Sequence, residues 1–295
     1  MTQEAPHDRT LHDGPVVERL AVSVYRIPTD LPGGDATLTW DATTMVLVEA
    51  TAAGVTGLGF TYGSPATATV VEHELADLVV GHDAFDVPAA NDRMSRALRN
   101  AGRPGIAAGA VSAVDTALWD LKARLLDLPL VRLLGAVRDE VAVYGSGGLT
   151  PYDDTRLEQQ LRGWTGLGID RVKIKVAESW GRREARDLHR TALARRAVGD
   201  AAELYVDANG GYTRKQAVRM AAAMADLGVT WLATLIDALH AHGSAGAGEG
   251  GRIAAGSQGV RSIPGAVSQS GADGALDPEN VRRRTGLTDA FAVAH

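Results

Sequence analysis

The chain has 295 residues, 45% of them hydrophobic, so it is long enough to bury one large α/β barrel or two ordinary domains. Its formal net charge of -6 argues against a general nucleic-acid or anionic-membrane surface, since both need clustered Lys and Arg, and leaves small molecules as the expected partners. With no cysteine, disulfides, thiolate metal sites and cysteine nucleophiles are excluded, and metal chemistry is confined to oxygen and imidazole donors.

Residues 1–14 are polar and lack the apolar core of a signal peptide, and no apolar run approaches about 18 residues, so the expected location is the cytoplasm. Leu20, Val22 and Val24 alternate with Ser23 and Tyr25, the period of a half-buried strand. Residues 44–49 and 55–60 are strand-like and flank Gly54, which predicts a hairpin. Between the first strand and this pair, Pro28 to Trp40 is rich in Pro, Gly and Asp and reads as a loop. Helical spacing follows around 70–80 and 91–98. It is clearest over 106–126, where Ile106, Ala110, Val114, Leu118, Leu121 and Leu125 recur every three or four residues. Strands followed by helices describe a separate α+β domain.

After about Glu140 the rhythm becomes strand, helix, strand, helix. Strands are predicted at 141–144, 171–176, 203–206 and from Val229, with helices at 156–164, 184–198 and 213–227. Apolar strands alternating with amphipathic helices imply a parallel sheet, and repetition without reversal favours a TIM-type barrel over a doubly wound sheet. From Ala233 onward the chain holds no lysine, one aromatic residue in Phe291, and a glycine-rich stretch over 243–274 with no helical or strand period. The expectation there is an atypical segment, disordered or out of frame.

In Lys173-Ile174-Lys175 the alternation of a strand sends both lysines to one face and Val172, Ile174 and Val176 to the other. The apolar side suits a helix layer, so the lysines are expected inside the barrel near its C-terminal mouth, where barrel enzymes place their sites. Neighbouring ammonium groups in a partly desolvated pocket lower each other's pKa from about 10.4 toward the range of a general base. The alternative is an exposed edge strand with solvated lysines. Asp207 and Asn209 follow the strand Leu204-Tyr205-Val206. An acid there is placed to bind a hard cation such as Mg²⁺; Asp-x-Asn is also the pattern of an Asx turn, with Thr213 as the next helix cap.

These residues carry a family resemblance. Arg171-Val-Lys-Ile-Lys-Val176, Leu204-Tyr-Val-Asp-Ala-Asn209 and Gly228-Val-Thr-Trp231 resemble the second to fourth barrel strands of mandelate racemase-like enzymes of the enolase superfamily. The helix Ala113-Val-Asp-Thr-Ala-Leu-Trp-Asp-Leu-Lys122, followed by Leu133-Leu-Gly135, is similar to the end of that family's capping domain.

The resemblance implies an α+β capping domain over 1–135, the first part of a β/α barrel over 136–232, and the atypical segment over 233–295. It further implies Mg²⁺-assisted abstraction of the proton α to a carboxylate, giving racemisation or dehydration of an acid sugar or hydroxy acid, in a possible homo-oligomer. Lys175 would be the base, Lys173 its electrostatic partner, Asp207 the first metal ligand and Asn209 a pocket residue. Trp40 and Tyr62, in regions the capping domain would bring to the substrate, are specificity candidates. The family's fourth strand ends in a Glu-Glu-Pro-like segment, but here Leu232-Ala-Thr-Leu235 follows Trp231. Asp237, His240, His242 and Glu249 are the nearby substitutes, and the alternative function is an inactive remnant or binding protein.

Overall fold

The computed structural model describes residues 14–233 and 254–256. They divide into two compact units, one containing 14–28 and 42–139, the other 29–41 with 140–233 and 254–256. Each is built by a different periodicity.

The first unit is α+β. β1 (Arg19–Gly34), β2 (Thr39–Ala52) and β3 (Val55–Tyr62) form a sheet in that order, and β2 and β3 pair antiparallel from Met45↔Tyr62 to Ala52↔Val55. The connecting Ala53-Gly54 has φ of 48° and 74°, the primed turn whose twist suits a two-residue hairpin. A helical stretch begins with α1 (Ala66–Val70), loosens through a π turn at Val71–Leu75 and tightens into a 3₁₀ turn at Ala76–Leu78. α2 (Val87–Ala97), α3 (Ala108–Leu125) and the single turn α4 (Leu130–Leu133) follow.

α3 lies directly on β3. A Cβ at Gly57 would overlap the backbone of Ala117 and Leu121, and one at Gly59 that of Ala113 and Ala117. Two glycines on the strand facing Ala110, Ala113 and Ala117 on the helix thus allow backbone to meet backbone, while Leu75, Met94, Leu98, Leu118 and Leu121 complete the core.

The second unit is a partial β/α barrel. Its elements are β4 (Gly145–Gly147), α5 (Asp154–Gly166), β5 (Arg171–Lys175), the turn α6 (Glu178–Gly181), α7 (Glu184–Val198), β6 (Glu203–Asp207), α8 (Arg214–Ala225), β7 (Val229–Ala233) and β8 (Ala254–Gly256). The strands lie side by side in sequence order, and every adjacent pair is parallel. Winding in one direction without reversal is the topology of a barrel. Val172, Ile174, Leu204, Val206 and Leu232 share a core with Leu157, Leu161, Trp164, Met220 and Met224 from α5 and α8. α5 is capped by the Asp153 side chain accepting from the Arg156 N–H at 2.7 Å, and α8 opens on a capping box of Thr213 and Gln216.

Three differences from the sequence reading have physical causes. Pro28 to Trp40 is largely strand: β1 runs to Gly34 and β2 starts at Thr39, and Asp35 closes the turn between them by accepting from the N–H groups of Thr37 and Leu38 at 2.7 and 2.9 Å. The first barrel strand is Gly145–Gly147 rather than 141–144, because the Trp164 ring fills the space a Cβ would need at Gly145 and, together with Gln160, at Gly147. β8 lies beyond residue 232 and continues the sheet from β7. Asp237, His240, His242 and Glu249 lie outside the described residues. Among the described residues no helix is long and apolar enough to cross a membrane.

Candidate active site

The strand register brings the chemistry together. Lys173 pairs with Tyr205 and Trp231 in one cross-strand row, and Lys175 with Asp207 and Ala233 in the next row toward the strands' C-terminal ends. In-register neighbours project to the same side, so both rows lie on the face opposite the helices. Lys173 Nζ and Lys175 Nζ both donate to Asp207 Oδ2, at 3.2 and 2.7 Å. Lys175 Nζ also donates to Asn209 Oδ1 at 2.8 Å. Asp207 Oδ1 accepts the Asn209 N–H at 3.1 Å, and Asn209 has φ of 44°, a left-handed conformation that Asn tolerates. The Asx turn and the charged cluster are therefore one structure: the turn aims the Asn209 amide at Lys175.

Lys173 and Asp207 are buried and Lys175 is partly buried, with side-chain exposures of 8%, 7% and 15%. Burial is the largest influence on Lys175 and lowers its pKa below the usual lysine range, with Lys173 pushing the same way and Asp207 and Asp35 opposing. Burial alone would raise Asp207, but the two ammonium groups outweigh it and hold its carboxyl below the usual range. Beneath the cluster Tyr144, Tyr205 and Trp231 meet edge to face, with centroids 5.4 to 6.4 Å apart, and Lys173 Nζ sits 5.4 Å over the Tyr144 ring.

The loops leaving the strands are tied to one another. Arg190, fully buried on α7, donates to the carbonyls of Tyr152, Gly148 and Leu149 at 2.7, 2.8 and 2.9 Å, fixing the loop after β4. Asp187, one turn earlier, accepts from Tyr212 Oη at 2.8 Å in the loop after β6. The turn after β5 holds Ala177, Ser179 and Trp180 at positive φ, each an uncommon conformation for a residue with a side chain. Glu178 anchors this turn through Arg183 and Arg186, at 2.8 and 2.7 Å. Segment 29–41 docks on the same end: Thr150 donates from N to Gly34 O and from Oγ1 to Asp35 O, at 3.0 and 2.8 Å, and Trp180 N donates to Ala36 O at 2.9 Å.

Lys173, Lys175, Asp207 and Asn209 thus stand together. Trp40 packs its indole against Gly33 on the adjoining strand. Tyr62 belongs to the other unit, at the end of β3, where its ring meets Phe60 edge-on. Asp187, Arg190 and Tyr212 were not singled out from sequence. The signal available was the α7 stripe itself: Asp187, Arg190, Thr191 and Ala194 occupy i, i+3, i+4 and i+7, so polar side chains fill the positions that helical spacing assigns to the core.

As a Mg²⁺ site the donor set is thin. Among the described residues, Asp207 is the one carboxylate paired with these lysines, the in-register position on β7 is Ala233, and there is no group of three His, Asp or Glu side chains able to hold a metal. Mg²⁺ prefers oxygen ligands in octahedral array and usually takes one or two carboxylates plus substrate oxygens. The described residues therefore supply one carboxylate of such a set, already paired with two ammonium groups.

Comparison with known proteins gives the lineage. A model of the mandelate racemase / muconate lactonizing enzyme N-terminal domain matches residues 20–135, and an enolase C-terminal domain-like model matches 156–256. L-talarate/galactarate dehydratase of Salmonella typhimurium is 36% identical over 198 residues, covering 65% of this chain and 48% of that protein. The 3,6-anhydro-alpha-L-galactonate cycloisomerase of Streptomyces coelicolor is 34% identical over 227 residues, covering 74% and 61%. Among solved structures, a mandelate racemase/muconate lactonizing enzyme-like protein from Rubrobacter xylanophilus superposes with a TM-score of 0.75 at 53% identity, covering 78% of this chain and 63% of that one. A racemase from Streptomyces coelicolor with bound magnesium gives 0.71 at 33%, covering 75% and 63%. The chain spans about half to three fifths of the length of these curated relatives. With an α+β unit and a one-way parallel β/α unit matched in order by the two domain models, the chain belongs to the mandelate racemase / muconate lactonizing enzyme family of the enolase superfamily.

Proposed function

We propose that this chain carries the proton-transfer end of a site that abstracts the hydrogen α to a carboxylate, of dehydratase or racemase type, acting on an acid sugar or hydroxy acid. The observation that carries the reading is the convergence of Lys173 and Lys175 on Asp207 at the C-terminal ends of parallel strands. Lys175 is the base: its amine is held by an acid and an amide, and burial makes its neutral form easier to reach. Lys173 is its electrostatic partner, a second amine on the same face that could pair with a substrate carboxylate. The kinship with an acid-sugar dehydratase and a cycloisomerase supports the substrate class, since dehydration and racemisation share the first step. Asp207 is the carboxylate this cluster would offer to Mg²⁺, the ion held by a related racemase. The reading also takes the protein to be cytoplasmic.

The test is exchange of the α-hydrogen of galactarate in D₂O, followed by proton NMR. The native chain should exchange it, Lys175→Ala and Lys175→Arg should lose at least about 100-fold, the size of a general-base contribution. Because the neutral amine is the active form, exchange should rise with pH and level off below 10.5, the ordinary lysine value. Undiminished exchange in Lys175→Ala would sink the proposal.

A second reading, an inactive protein that keeps the fold and binds carboxylates, is favoured by Ala233 standing in register with Asp207 where a second acid would complete the donor set. Galactarate raising the melting temperature with no α-exchange at any Mg²⁺ concentration would support it over the first.

A further inference from the structure

The amine of Lys175 and the amide of Asn209 meet only if the chain leaving β5 and the chain leaving β6 keep their spacing. Asp187 sits between these two chains. It is fully buried on α7, with one oxygen accepting from Tyr212 Oη at 2.8 Å and the other facing the Glu178 N–H at 3.4 Å. Tyr212 is itself buried, three residues beyond Asn209, and Glu178 is three residues beyond Lys175. The loop after β5 includes three non-glycine residues at positive φ, so it needs external contacts to hold its form. No part of the proton-transfer reading uses this carboxylate.

We propose that Asp187 is a positioning residue of the site, tying the loop that follows Lys175 to the loop that follows Asp207 and Asn209, so that the two loops open and close as one. The inference rests on reading those residues as the proton-transfer end; loop coupling is measurable whether or not any substrate turns over.

The charged and titratable groups around Asp187 are Tyr212 from the loop after β6, Glu178 from the loop after β5, already paired with Arg183 and Arg186, and Arg190 on its own helix. Arg190 is spent on three backbone carbonyls and gives Asp187 no hydrogen bond among those described. Burial therefore dominates and pushes the Asp187 carboxyl up to about 6. The closed loops hold the proton more tightly than opened, hydrated ones, whose carboxyl has its ordinary value near 3.8. Closure is thus favoured most below about pH 4 and weakens as pH rises to about 6.

Hydrogen–deuterium exchange of the full chain, read by mass spectrometry on peptides covering 174–182 and 207–213 and corrected for intrinsic rates, tests the coupling. In the native chain, protection of both peptides should fall by at least about tenfold between pH 4 and 6, then stay level. Asp187→Asn should abolish the step in both. Tyr212→Phe, which removes one bond on the β6 side, should speed exchange on the β5 side as well by a few-fold. Leu193→Ala, a packing change further along α7, should leave the step in place. A step that survives in Asp187→Asn, one that disappears in Leu193→Ala, or a Tyr212→Phe effect confined to 207–213 would each overturn the proposal.

Discussion

At the scale of the residue, the cluster works because one carboxylate is shared. Asp207 Oδ2 is within 3.2 Å of two amines, all three groups nearly out of water. A buried ion pair gains little net stability over an apolar replacement, but removing one partner leaves the other buried and uncompensated. Asp207→Asn therefore strands two lysines and should cost about 3 kcal/mol or more, read as a lower urea midpoint. The loss should be smaller in a Lys173→Met/Asp207→Asn double variant, which removes one of the stranded charges. Additive losses in the two single variants and the pair would deny the coupling.

At the scale of the element, what was legible in the sequence was whatever announces itself by apolar periodicity. Alternation around Lys173 sorted the two faces of β5, and three- and four-residue spacing located α3, α7 and α8 to within a few residues. What was not legible depended on packing partners. Gly145 and Gly147 carry no hydrophobic signal, because Trp164 of a later helix supplies the apolar mass that strand side chains usually provide. Pro, Gly and Asp between 28 and 40 read as loop, yet the backbone there is mostly extended and only the four residues between β1 and β2 turn. Asp187 and Arg190 fill core positions of the α7 spacing with polar side chains, and their contacts in the fold show them inside. The β3–α3 seam gives the sharpest test at this scale. Gly59→Ala puts a methyl group into the backbone of α3, which cannot yield as a side-chain tip would. It should destabilise the α+β unit by about 1 to 3 kcal/mol in denaturant unfolding, whereas Gly54→Ala, in a turn with open space around it, should cost only the strain of its positive φ.

At the scale of the whole molecule, two lysines converge on one acid among the described residues. Mg²⁺ titrated into the native chain should bind weakly, in the millimolar range by calorimetry, if Asp207, already in ion pairs, is the carboxylate that holds it. Ala233 is in register with Asp207 on the next strand, so Ala233→Glu places a second carboxylate on the same face. That variant should tighten Mg²⁺ binding at least about tenfold, and equal affinity in the two proteins would show that the strand ends do not converge on an ion.

The same lysine–acid cluster is also local along the chain. Its two ion pairs join residues only 32 and 34 positions apart, through the single unit β5–α7–β6. Among parallel strand pairs, which need a crossover of a dozen or more residues, pairing of strands next to each other in sequence closes the smallest loops and costs the least closure entropy. The charge arrangement can therefore assemble during synthesis once β6 has left the ribosome, before the strands downstream of it have emerged. The order of translation would then favour building the lysine–acid end of the fold first, with the rest of the sheet added to a neighbourhood whose charges are already matched.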